Sequence, residues 1–295
     1  MITSVKKLVL LALACAALPV LAVGQEKPAK SPKPVSPLAN QPFRPKLDAP
    51  AAGEWRTVDP ENLLVINSTK GRILVEMVPE IAPLTVARVK ELARQHFYDN
   101  LTFHRVIDGF MAQGGDPKGD GSGGSTLPDI AGEFTFRRGP SVPYAKVSID
   151  SGLEDGFIHS IPVRGQNSDL AVMTADGKVN GWGLFCPASA GFARSSKPDS
   201  GNSQFFLMRG PKEELEKAYT VWGRVLVGQD VVKALKNGEP VVNPDKMITV
   251  RVASDLPAGE QPKVQVVDSG SAWVKNAAKY VTNTCDIDLP ARVVN

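Results

Sequence analysis

The brevity of the apolar segments between Leu63 and Val252 constrains this chain more than any other feature. Leu63-Leu64-Val65-Ile66 gives way to a polar stretch, Asn67-Ser68-Thr69-Lys70-Gly71, and Arg72–Val78 then resumes with Ile73, Val75 and Met77 on one face. Two short runs flanking a Gly-bearing turn specify a β-hairpin. Further strands are expected at Phe103–Val106, Phe110–Gly114, Gly191–Arg194, Gln204–Met208 and Thr220–Val227. Met247–Val252 alternates cleanly, with Ile248, Val250 and Val252 set against Thr249 and Arg251. Two helices interrupt these strands. One should start at Thr85 as N-cap and bury Val86, Val89, Leu92 and Ala93; the other covers Asp230–Lys236 and stops at Asn237-Gly238. Many short strands with two helices predict a mainly β fold, a barrel or a sandwich. Residues 137–190 fit the pattern poorly, with weak strands expected at Leu170–Met173 and Trp182–Phe185.

The flanks of this region differ in character. Residues 1–24 read as a secretory signal: Lys6 and Lys7 precede an apolar run, Leu8–Val23, and Ala22-Val23-Gly24 offers a small-x-small cleavage site. The run has 16 residues and is broken by Pro19, short of the roughly 20 needed to cross a bilayer. Cys15 invites a lipoprotein reading, but Ala12 stands where a Leu-type residue is wanted. Export to a bacterial periplasm, without stable membrane insertion, is the expectation. Residues 25–58 hold seven Pro and six Lys/Arg against three Asp/Glu, with almost no apolar periodicity, and predict an extended linker. Residues 59–255 then make a span of 197, enough for one well-buried core. An extension over 256–295 follows, with a candidate helix at Ala272–Tyr280 presenting Trp273, Ala277 and Tyr280 on one face. Net charge is only +3, and no basic cluster lies beyond the N-terminal region, which argues against nucleic acid as a partner. Cleavage of the leader removes Cys15 and leaves Cys186 and Cys285. In an oxidising compartment this pair is a disulfide candidate closing a loop of about 99 residues; the alternative is two unpaired buried thiols.

The densest chemistry lies in Phe97–Pro117, FYDNLTFHRVIDGFMAQGGDP, which sets Arg105 near Phe110, Met111 and Gln113. Taken alone, these residues describe either a cation on the rim of an apolar patch or an Arg capping a sheet edge above a Phe- and Met-filled core. The wider sequence separates the two. With Gly119-Asp120-Gly121-Ser122-Gly123-Gly124 and Gly132-Glu133-Phe134 after it, this stretch resembles the cyclophilin family of peptidyl-prolyl cis/trans isomerases. Gly191-Phe192-Ala193-Arg194 with Pro198–Phe206 is similar to that family's second signature, and Tyr219–Val225 with Gly228–Val232 to its third, in family order.

The resemblance implies a closed eight-stranded antiparallel barrel capped by two helices, with the active groove on its outer face. The 56 residues between Phe134 and Gly191 exceed the compact family pattern, so an extra inserted lobe is expected at about 137–190. Arg105 matches the catalytic arginine. Phe110, Met111, Gln113, Ala193, Phe206 and Leu215 match positions that line the proline pocket and hold the substrate backbone. Tyr219 stands where many members carry His, and Glu214 where many carry Trp, from which weak cyclosporin binding is expected. The implied substrates are proline-containing polypeptides, acted on by a monomer with no cofactor or metal.

Elementary chemistry supports these assignments. An X-Pro amide rotates over a barrier of roughly 18–20 kcal/mol because its C–N bond has partial double-bond character. A fixed guanidinium can donate to the amide nitrogen only as conjugation is lost, so its stabilisation is specific to the transition state. Competing motifs fall short. His96, His104 and His159 are too few and scattered for a metal site; Ser195 and Ser196 lack a G-x-S-x-G elbow; the Gly119–Gly124 run lacks the Gly-Lys-Ser/Thr of a P-loop. Asp116-x-Lys118-x-Asp120 lacks the later Glu of an EF-hand. The alternative to an enzyme is a non-catalytic proline-peptide-binding chaperone or scaffold on the same barrel, an option kept open by Glu214 and the long middle segment.

Overall fold

The computed structural model describes residues 47–294, so the expected leader, with Cys15, and the first part of the linker lie outside the described residues. In chain order the elements are β1 (Trp55–Thr57), β2 (Leu63–Ser68), β3 (Gly71–Met77), α1 (Pro83–Arg94), β4 (Arg105–Ile107), β5 (Met111–Gly114) and β6 (Phe136–Arg138). There follow β7 (Tyr144–Asp150), β8 (Leu153–Ile158), β9 (Ile161–Gln166), β10 (Val179–Gly183), β11 (Ser189–Phe192) and β12 (Phe205–Met208). The chain ends with β13 (Thr220–Val227), α2 (Gln229–Ala234), β14 (Met247–Val252), β15 (Lys263–Val267), α3 (Ala272–Ala277) and β16 (Ala291–Val294).

Eight strands form one antiparallel sheet in the order β14-β2-β3-β13-β11-β12-β5-β4. The sheet curls, but no ladder among the described residues joins its ends, so the expected closed barrel is corrected to an open one. The reason is local. β4 has three residues, and the chain before it turns through Asn100 in a left-handed conformation (φ 62°). Isolated bridges, Thr102 to Lys246 and Val106 to Gly238, cross the gap instead.

The continuous apolar run Leu63–Ile66 has a simple cause. Leu64 and Ile66, with Ile73, Val75 and Met77, face an inner core shared with Val86, Val89 and Leu92 of α1, Val232 of α2, Phe205 and Trp222. Leu63, Val65 and Leu74 face the other way, into a second cluster with Val264, Val266, Val274, Ala277 and Ile287. That outer cover is the C-terminal extension, whose β15 lies between β1 and β16 in a three-stranded sheet. A strand buried on both faces reads as an unbroken apolar run.

Three local expectations shift. The linker expected over 25–58 gives way to ordered structure before its end, because Trp55, Arg56 and Thr57 pair with Val267, Val266 and Gln265. Helix α1 begins at Pro83 rather than after Thr85. Its free amides are capped from a distance: the Glu133 carboxylate accepts from Leu84 N, Thr85 N and Thr85 Oγ1, each at 2.8 Å. In the extension, α3 buries Val274 and Ala277, while Tyr280 is 43% exposed in the short turn that follows.

The poorly patterned stretch 137–190 contains most of a five-stranded antiparallel sheet, order β6-β10-β9-β8-β7. Its first hairpin turns through Ser151 and Gly152, both left-handed (φ 51° and 81°), the conformation a two-residue turn of type I′ requires. Leu170–Met173 belongs to a 3-10 turn rather than a strand. Cys186 and Cys285 are joined in a disulfide, which ties the extension to the segment just after β10 beside Trp182 and Leu184. Removing a bridge across 99 residues should lower the unfolding free energy of Cys285→Ser by about 2–5 kcal/mol. Guanidinium melts of wild type and variant test this, and coincident midpoints would show that the cross-link adds nothing.

Candidate active site

Antiparallel register assembles the site. β4 sets Arg105 opposite Gln113 of β5, β5 sets Gln113 opposite Phe206 of β12, and β12 sets Phe206 opposite Gly191 of β11. Directly opposed residues project to the same face, so this row lies side by side across four strands. Gly191 ends it without a side chain for a steric reason: a Cβ there would lie 2.3 Å from Phe206 Cζ.

Along this row runs a cavity of about 160 Å³ lined by Arg105, Phe110, Met111, Gln113, Ala193, Arg194, Phe206, Leu215 and Tyr219. Every site residue expected from the sequence is on this list. The addition is Arg194, whose signal was its place beside Ala193 in the quoted Gly191–Arg194 block. The Phe206 ring stacks on Phe185 at 5.8 Å and meets Tyr219 edge-on at 6.0 Å. The Arg194 guanidinium sits 4.4 Å from the Tyr219 ring centre, with its Nε donating to Ala218 O. Arg105 Cζ is 6.0 Å from the centre of the Phe110 ring, within reach of a cation–π interaction, and Arg105 Nε donates to Glu239 Oε1 at 2.5 Å. Glu214 does not line the cavity; its side chain is 72% exposed and pairs with Lys212 at 3.2 Å.

A second, polar cavity of about 330 Å³ adjoins the first and shares Gln113, Ala193 and Arg194 with it. One relay shapes the common wall: Gln113 Nε2 donates to Gln204 Oε1, and Gln204 Nε2 donates to Gly121 O and Gly123 O. The Gly-rich loop is in turn wound around Asp116, whose carboxylate accepts from Lys118 N, Asp120 N and Gly121 N at 2.8, 3.2 and 2.6 Å. A Cβ on Gly123 would fall 2.0 Å from Asp116 Oδ1, so the loop closes only with glycine there. Burial raises the pKa of Asp116, but these backbone donors outweigh it and hold the carboxyl below its usual value. Burial has the opposite effect on the buried His104, whose pKa it lowers.

Residues 63–254 match the family model described as cyclophilin type peptidyl-prolyl cis-trans isomerase/CLD. The chain belongs to the cyclophilin family. Among its relatives, a probable peptidyl-prolyl cis-trans isomerase of Brucella suis is 33% identical over 213 residues, 67% of this chain and 85% of that protein. Peptidyl-prolyl cis-trans isomerase B of Bacillus subtilis is 32% identical over 168 residues, 57% of this chain and 85% of that one. The crystal structure of a cyclophilin from Hirschia baltica superposes with a TM-score of 0.76 at 35% identity, covering 81% of this chain and 93% of that one. That coverage is wider than the family model's span. By family and by the names of its relatives this cyclophilin is a peptidyl-prolyl cis-trans isomerase.

The Asp116 geometry has a measurable signature. Because the folded-state pKa is lowered, the stabilisation is full above the ordinary carboxylate value of about 3.9 and fades as pH falls through the depressed folded value. Asp116→Asn should therefore unfold about 1.5–3 kcal/mol more easily at pH 7, with the gap to wild type shrinking toward zero in strong acid. Denaturant titrations across pH test this; a gap unchanged from pH 7 to pH 2 contradicts it.

Proposed function

We propose that this cyclophilin accelerates X-Pro bond rotation in exported polypeptides, with Arg105 as the catalytic donor and a periplasmic monomer as the working form. The observation that carries the reading is the cavity itself, which brings the Arg105 guanidinium to the edge of an apolar chamber formed by Phe110, Met111, Phe206 and Leu215, while the second lining guanidinium, Arg194, is held over the Tyr219 ring. The proline ring occupies the chamber, and Gln113 and the backbone at Ala193 hold the substrate chain. As the amide twists, its nitrogen becomes pyramidal and its lone pair is freed from conjugation. Arg105 donates to that lone pair, an interaction absent from the planar ground state, while the apolar walls exclude competing water. Neither a nucleophile nor proton transfer takes part, and a guanidinium stays charged throughout the physiological range.

The sheet β6–β10 reads as an insertion in the compact family pattern that braces one wall of this chamber. Trp182 Nε1 donates to Glu216 Oε2 at 3.0 Å, and Lys217 Nζ lies 4.4 Å from the centre of the Trp182 ring. Both contacts fall within the segment between Leu215 and Tyr219, two of the lining residues. Cyclosporin should inhibit weakly, since an exposed carboxylate occupies position 214; a potency equal to that on a Trp-bearing cyclophilin contradicts this.

The direct experiment follows the cis-to-trans rate of an X-Pro tetrapeptide with the purified 25–295 chain. Removing one preorganised donor in Arg105→Ala should lower kcat/KM about 10²–10³-fold. Affinity for a proline-containing peptide, set by the apolar chamber and the backbone anchors, should change little. Equal, slow rates in both proteins would instead leave a peptide-binding module without turnover.

A further inference from the structure

A carboxylate on the catalytic cation is not part of the mechanism above, and its placement is too well determined to be incidental. Glu239 Oε1 accepts from Arg105 Nε at 2.5 Å. The chain beyond α2 is led there by backbone pairing on either side of Arg105. Val106 N donates to Gly238 O at 2.9 Å, Gly238 N donates to Val106 O at 2.8 Å, and Val241 N donates to His104 O at 3.0 Å. Residues 238–241 therefore run alongside 104–106, and Glu239 falls next to Arg105. Gly238 is confined, since a Cβ there would lie 2.7 Å from Val241 Cα and from Pro240 O. The start of the loop is held by the buried Arg209, which donates from Nη1 to Asn237 Oδ1 and from Nη2 to Lys233 O. The two ends of the loop are tied where Lys236 N donates to Asp245 Oδ2 at 2.9 Å.

Among the described residues no other carboxylate pairs with Arg105, and no protein acceptor takes its Nη1 or Nη2. A guanidinium is a planar fork, so fixing the Nε edge fixes the plane and the direction of the two remaining nitrogens. Arg105 also has a long, rotamer-rich side chain that is 35% exposed, so its direction needs such a hold. We propose that Glu239 is a positioning residue for the isomerase reaction: it clamps Arg105 by Nε and leaves Nη1 and Nη2 directed at the proline nitrogen. The inference rests on Arg105 being the catalytic donor.

The Glu239 side chain is 55% exposed. An ion pair at such a site adds little to stability, so its loss should register in turnover and not in melting temperature. Glu239→Ala should lower kcat/KM about tenfold, through kcat, with Tm and the affinity for a proline tetrapeptide unchanged. Glu239→Gln, which keeps an oxygen acceptor for Nε–H, should recover most of the loss. In an Arg105→Ala background the Ala substitution at 239 should have no further effect, since it acts through Arg105. The Arg105 Nε–H resonance, protected from solvent exchange in wild type, should exchange rapidly in Glu239→Ala. An unchanged or faster rate in Glu239→Ala, or an equal loss in the Arg105→Ala background, overturns the proposal. A wild-type rate in Arg105→Ala itself would remove both the proposal and the mechanism beneath it, which separates the two failures.

Discussion

Burial of the β2–β3 hairpin on both faces is the constraint on which the rest of the molecule depends. Its inward residues, Leu64, Ile66, Ile73, Val75 and Met77, supply one flank of the main core, to which both principal helices dock. Its outward residues, Leu63, Val65 and Leu74, would otherwise present a patch of aliphatic surface to water. Each such side chain contributes roughly 1.5–3 kcal/mol when fully buried, so leaving the outer row bare would forfeit several kcal/mol. β15, α3 and β1 cover it. The N-terminal strand and the C-terminal extension are thus one layer of the fold, drawn from opposite ends of the chain.

That layer is linked to the chemistry. The disulfide joins Cys285 of the extension to Cys186, and Cys186 follows Phe185, the ring on which Phe206 of the apolar chamber stacks. Trp182, just before, reaches the loop that carries Leu215 and Tyr219 through its bond to Glu216. Partial burial pushes Glu216 upward in pKa, against the bond from Trp182 that lowers it. The chamber wall is therefore set by aromatic packing whose other side is held by elements outside the eight-stranded sheet. In a sheet that does not close on itself, such outside support substitutes for the rigidity a complete hydrogen-bonded ring provides.

What could be read from the sequence divides along physical lines. β14 was visible at its observed bounds because its apolar residues alternate, and β13 because Val221-Trp222 and Val225-Leu226-Val227 flank a short Gly223-Arg224 break. Arg105, Phe110, Met111 and Gln113 lie close together in the chain, but alone they left two readings open; the resemblance to the family separated these and also pointed to Ala193, Phe206, Leu215 and Tyr219. The lobe was not. β7 and β8 mix charged and small residues, and their hairpin is announced only by Ser151-Gly152, a pair whose left-handed backbone no residue pattern specifies. β1 was hidden for a different reason: its partner β15 lies more than two hundred positions away, and composition over residues 25–58 averaged its three residues into a Pro-rich stretch. Glu133 and Glu239 were missed as functional carboxylates because neither acts on its neighbours in sequence; one caps α1 from 48 positions away and the other meets Arg105 across 134.

Glu239 shows how a cation at this site is given its direction. A donor that must act only at the transition state gains nothing from being strong in the ground state; it gains from pointing in the right direction before the bond begins to turn. Direction in a long flexible side chain comes from the groups that hold its near end. Here the hold is one oxygen on Nε, placed by backbone pairing between the strand that bears Arg105 and the loop that bears Glu239. The open seam of the sheet therefore has a use. Because β4 ends the ladder, its outer edge is free to pair with residues 238–241 in place of a ninth strand, and that pairing carries a carboxylate to Arg105.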